Sequence, residues 1–125
     1  MLNYKLVEKE NPRDNTAPKK FYANHVTKGK KTFKQIKVDI QGKSSLTSGD
    51  IGNVLENLVD QIPKYLLDGQ SVNLGELGTL RLSFSSEGAD TAKDFDTSMI
   101  KNVRIIFTPG VLLKDAVAKA KFEKA

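Results

Sequence analysis

The sequence predicts an α+β protein: an N-terminal β-hairpin, two helices, three strands with a long polar insertion before the last, and a C-terminal helix. Three observations carry this. The apolar residues Ile51, Val54, Leu55, Leu58, Val59, Ile62 and Leu66 recur at helical spacing. From Ser71 onward the period switches to two, with Leu80, Leu82 and Phe84 facing one way and Thr79, Arg81, Ser83 and Ser85 the other. A long polar stretch then separates this strand from a second alternating run at Val103, Ile105 and Phe107.

The elements follow in order. Tyr4–Lys9 and Phe21–Val26 contain β-formers and are separated by the polar turn residues Asn11-Pro12 and Ala17-Pro18, so they predict a hairpin. Gly29 closes it. Phe33, Ile36, Val38 and Ile40 predict a short helix over Thr32–Gln41, ended by Gly42. Thr47 is suited to cap a second helix, and Asp50 falls in its first turn, where the helix dipole favours a negative charge. Pro63 interrupts the stripe and should kink the helix or tighten its last turn. Asp68-Gly69 ends it. Gly75 and Gly78 mark a tight connection into the long strand. Pro109-Gly110 sets the entry to a last helix expected from Val111 to about Lys121.

A chain of 125 residues suits one domain with a small addition, long enough to bury a core without disulfide staples. There is no cysteine, which excludes disulfides and thiol chemistry. No apolar run approaches the roughly 20 residues of a membrane span or resembles a leader, so a cytoplasmic protein without membrane partners is expected. The net charge is +5, unevenly spread. Residues 1–45 carry +7, residues 46–100 carry −6 and residues 101–125 carry +4. Two basic ends flanking an acidic middle form a directional field for a polyanion. The plain alternative is a solvated, lysine-rich surface.

Catalysis finds little support. His25 is the lone histidine and lies in the hairpin, so neither a nucleophilic triad nor a histidine-rich metal site can be assembled. Glu56, Asp60 and Asp68 fall on the polar face of the long helix, where carboxylates are ordinarily solvated. Gly75-Glu76-Leu77-Gly78 lacks the Gly-Lys-Ser/Thr of a nucleotide-binding loop and lies between strands. Its glycines are best read as turn residues. No enzyme, cofactor, metal or small-molecule substrate is expected.

Two stretches carry a resemblance. Leu74-Gly75-Glu76-Leu77-Gly78-Thr79-Leu80-Arg81-Leu82 and Phe107-Thr108-Pro109-Gly110-Val111-Leu112-Leu113-Lys114-Asp115-Ala116-Val117 resemble the paired core motifs of the HU/IHF family of bacterial histone-like DNA-binding proteins. The opening Tyr4-Lys5-Leu6-Val7, Phe84-Ser85-Ser86-Glu87-Gly88 and the terminal Lys121-Phe122-Glu123-Lys124 are similar to its HU-HIG subgroup. The resemblance implies an HU-like fold over residues 29–125, in which two helices precede a three-stranded antiparallel sheet with a protruding arm and a closing helix, with residues 1–28 as an added hairpin. It also implies a nucleoid-located homodimer that binds and bends double-stranded DNA with little sequence preference. The arm, about residues 85–101, would embrace the duplex, with Arg81, Lys93, Lys101 and Arg104 meeting phosphates.

The arm departs from the family pattern. It lacks the tip proline and arginine, and Glu87, Asp90, Asp94 and Asp96 face the single Lys93 between them. Such a charge next to phosphates opposes binding. Met99 or Phe95 would have to supply any wedge between base steps. Thr108 and Val111 replace the lysines that flank the family's Pro-Gly turn. A second expectation therefore stands beside the first: an HU-fold protein-interaction or structural module with weak or no DNA binding.

Overall fold

Helix α2 (Ser48–Leu67) is the spine of the computed structural model, which describes all of residues 1–125. Its start is fixed by a reciprocal cap. Thr47 Oγ1 accepts from the Asp50 amide at 3.1 Å, and Asp50 Oδ2 accepts from the Thr47 amide at 3.2 Å. The shorter α1 (Phe33–Gln41) begins the same way, with Thr32 and Gln35 exchanging bonds of 3.2 and 2.9 Å. Pro63 lies inside α2, and the helix runs past it for a further turn.

Eight residues at the start form strand β1 (Leu2–Lys9), which pairs antiparallel with β2 (Lys20–Val26). The connection is pinned by Asp14, whose carboxylate accepts from the Thr16 amide at 3.0 Å and its hydroxyl at 2.6 Å. A second sheet contains the two-residue β3 (Val72–Asn73), then β4 (Gly78–Ser86) and β5 (Ile100–Pro109), all antiparallel. Helix α3 (Val111–Val117) follows directly.

The end of the chain differs from expectation. Helix α3 stops at Val117 rather than near Lys121. Residues Phe122–Lys124 form a strand, β6, parallel to β1 and opposite Leu2–Tyr4. The Leu2 amide bonds to the Lys121 carbonyl at 2.8 Å, and the Ala125 amide to the Tyr4 carbonyl at 2.8 Å. These backbone bonds to β1 need an extended chain, which outweighs the helix propensity of Ala118 and Ala120. The first sheet therefore has the order β2-β1-β6.

The two motif stretches meet in space. Gly78 pairs with Pro109, and the Gly110 amide donates to the Leu77 carbonyl at 3.0 Å. Gly78 has φ 143°, a region that disfavours side chains. A Cβ there would collide with the Thr108 carbonyl and lie 2.8 Å from the Phe107 ring. Gly78→Ala should accordingly destabilise the fold by about 2–3 kcal/mol, since backbone rather than a flexible side chain would have to move. Thermal denaturation would show it, and an unchanged midpoint would mean that this junction yields freely.

Little of the apolar surface is covered within one chain. Among the large apolar residues only Ile51 and Leu66 are fully buried. The accessible surface is 10521 Å² for 13.8 kDa, whereas a closed monomer of that mass exposes about 6,600 Å². The excess includes the helical stripe and the sheet face beside it. Val59 is 66 % exposed, Leu67 82 % and Ile105 63 %. Val59, Ile62, Leu66, Leu67, Leu82 and Ile105 line an open hollow of about 400 Å³ between α2 and the sheet.

Candidate nucleic-acid interface

The sheet of β4 and β5 has two unlike faces. Leu82 lies opposite Ile105, and both border α2. Alternation turns the other face away from that helix. There Arg81 stands opposite Ile106, and Ser83 opposite Arg104. The two arginines are therefore diagonal neighbours on adjacent strands, about 7–8 Å apart at most by ordinary sheet spacing. Both are exposed, and neither forms an ion pair.

Lys101 joins them. It lies opposite Ser85, two residues beyond Ser83 on β4, and its Nζ forms an ion pair with Glu87. Both side chains are about half exposed, so this surface pair is weak and readily exchanged for another anion. Lys93 stands apart. It occupies the single turn Ala92–Asp94 in the loop beyond the strands. Of the four cations expected from the sequence, three share one sheet face and the fourth lies outside it.

The arm is short as a paired structure. Strand pairing ends at Ser86 and Ile100, with one more bond from the Glu87 amide to the Met99 carbonyl at 2.9 Å. Beyond lie two short turns, Ala92–Asp94 and Thr97–Met99, begun by Thr91 and Asp96. Two of the loop's four carboxylates thus have local work: Glu87 holds Lys101, and Asp96 caps a turn. The Asp96 carboxylate accepts from the Ser98 hydroxyl and, at 3.1 Å, from the Ser98 amide. The hydroxyl bond, then the amide bond, holds its pKa below the ordinary value of 3.8. A depressed carboxyl stabilises the folded arm above that ordinary value and loses the contribution as pH falls through its folded pKa. Protection of the Ser98 amide, relative to its intrinsic exchange rate, should therefore be steady from pH 7 to pH 5 and fall below pH 3.8. Constant protection down to pH 2 would show that the cap contributes nothing to local order.

Sequence reasoning missed Asn102. It is the one non-glycine residue with positive φ, 58°, and its Nδ2 donates to Ser85 Oγ at 3.0 Å. An asparagine inside a run of β-formers was the available signal, because asparagine is poor in strands and tolerates left-handed backbone.

No three His, Asp or Glu side chains converge as a metal site, and no helix is long and apolar enough to cross a membrane. The fold and this face define an α+β protein whose two-sided sheet presents arginine and lysine outward beside a short acidic loop. The chain belongs to the HU-HIG family, whose model is described as an HU domain fused to wHTH, Ig, or a glycine-rich motif and matches residues 1–124. The match includes the N-terminal hairpin and β6. The fold is similar to that of a crystal structure from Bacteroides vulgatus ATCC 8482, described as a "putative bacterial DNA binding protein", with a TM-score of 0.65 and 18 % sequence identity. The likeness covers 98 % of this chain and 47 % of that one, so the chain spans about half the length of its structural neighbour. No curated protein matches the sequence.

Proposed function

We propose that this chain is an architectural DNA-binding protein of the nucleoid that acts as a homodimer and bends duplex DNA with little sequence preference. One observation carries the reading: Arg81, Arg104 and Lys101 gather on the solvent face of a sheet in a chain of HU-HIG type. Guanidinium groups suit phosphate because their fork of donors matches two oxygens. Contacts from such a face would run to the phosphate backbone, which positions the protein and carries no sequence information. The description of the Bacteroides structure as DNA binding agrees with this. Residues 29–125 would form the HU-like unit, and residues 1–28 its added hairpin.

The second copy would cover the apolar stripe of α2 and the face of Leu82 and Ile105. The surplus of accessible surface is several times what a standard protein interface buries on one partner. Leu55, Leu58 and Val59 would then enter a shared core.

A gel-shift titration of duplex DNA against salt tests the reading. If the cations of the sheet face and of the basic ends neutralise about four to six phosphates, log K should fall with log salt at a slope of about −4 to −5. Binding indifferent to salt would contradict the mechanism. Absence of binding even at low salt would favour the second reading, an HU-fold interaction module. That alternative rests on the acidic loop, in which Glu87 already occupies Lys101.

A further inference from the structure

Strict alternation along β5 would put Asn102 on the face of Arg104 and turn Lys101 to the opposite side. The register is otherwise. Ser83 lies opposite Arg104 and Ser85 opposite Lys101, so two steps along β4 match three along β5. The extra residue on β5 is a β-bulge, which re-aims every side chain beyond it. Asn102 supplies the left-handed backbone at φ 58°. Its side-chain amide donates to Ser85 Oγ at 3.0 Å, and that hydroxyl donates to the Lys101 carbonyl at 3.2 Å. The bulge is thus tied to the facing strand by two bonds. The ion pair of Lys101 with Glu87 gives an independent check, since Glu87 shares the face of Ser83 and Ser85 by alternation.

We propose that Asn102 is a positioning residue: its bulge turns Lys101 onto the face of Arg81 and Arg104 and so completes a three-cation row for phosphate. The role of the row rests on the DNA reading above. The placement of Lys101 does not.

The test combines Asn102→Gly, Asn102→Val and deletion of Asn102, each with and without Lys101→Ala. Glycine accepts positive φ, so Asn102→Gly should keep the register and the salt slope. Valine is poorly tolerated there, so Asn102→Val should remove the bulge and send Lys101 to the other face. The slope should become shallower by about 1 for each Lys101 that leaves the duplex, and adding Lys101→Ala should change nothing more. Deleting Asn102 removes the bulge and the extra residue together, so alternation returns Lys101 to the arginine face. There Lys101→Ala should keep its full effect, which provides a test even where the valine variant does not fold. Additive effects of Asn102→Val and Lys101→Ala would overturn the proposal, as would a deletion variant indifferent to Lys101→Ala. NMR cross-strand contacts between Ser85 and Lys101 read the register without DNA. If wild type binds no duplex and these contacts vanish in Asn102→Val, the positioning role stands and the DNA reading falls. If they persist in Asn102→Val, the positioning role falls.

Discussion

A Leu58→Asp chain should elute as a monomer at concentrations where the proposed homodimer of the wild type is formed. Leu58 lies on the α2 stripe and is 39 % exposed in the single chain. One chain alone therefore tolerates the carboxylate at modest cost. In the proposed homodimer both copies of Leu58 would be covered, and each introduced charge would be buried without a partner. Such burial costs several kcal/mol per group, and every 1.4 kcal/mol is tenfold in affinity. Two copies should weaken self-association by about four orders of magnitude or more. Sedimentation equilibrium reads this directly. A variant that stays dimeric would place the interface elsewhere, and a wild type that is monomeric at micromolar concentration would remove the homodimer itself.

Arg81→Ala/Arg104→Ala should all but abolish duplex binding at physiological salt while leaving thermal stability within about 0.5 kcal/mol. Both side chains are exposed and unpaired, so their loss breaks nothing within the fold. If each arginine of a dimer meets one phosphate, four contacts disappear, and the salt slope should become shallower by about 3.6. Glu87→Gln/Asp90→Asn/Asp94→Asn/Asp96→Asn should act oppositely and strengthen binding, because four phosphate-repelling charges are removed. If the arginine variant binds as wild type does, the sheet face is not the DNA surface. Loss of binding on shortening the loop alone would instead give the arm the leading role.

Much of this molecule is legible in its sequence, for reasons that can be named. Helix α2 is announced by a seven-residue stripe and by Thr47, and both act within a few residues of chain. The junction of Gly78 with Gly110 is legible because turn backbone demands particular residues, although their mutual contact appears only in three dimensions. Alternation sets Arg81 opposite the face of Leu80, Leu82 and Phe84, and Arg104 opposite that of Val103, Ile105 and Phe107. Alternation does not extend to Lys101, because one inserted residue reverses the parity of everything beyond it. Strand β6 was hidden for another reason: Phe122-Glu123-Lys124 is too short to show a period, and what extends it is a partner at the other end of the sequence. Lys93 belongs to the arm in the sequence and in the fold alike, since it lies in the loop between β4 and β5.

The parallel pairing of β6 with β1 also bears on the order in which the molecule is made. Leu2 and Phe122 stand about 120 residues apart in sequence, and closing a loop of that size costs about 4 kcal/mol of chain entropy, before any constant term. Three residues of ladder cannot offset this unaided. The intervening fold must bring the ends together first. On a ribosome, β1 and β2 would emerge early and wait as a two-stranded ribbon, marginal by itself in water. Their sheet is completed only once Phe122–Lys124 has been made. The edge of β1 therefore depends on residues more than a hundred positions further along the chain.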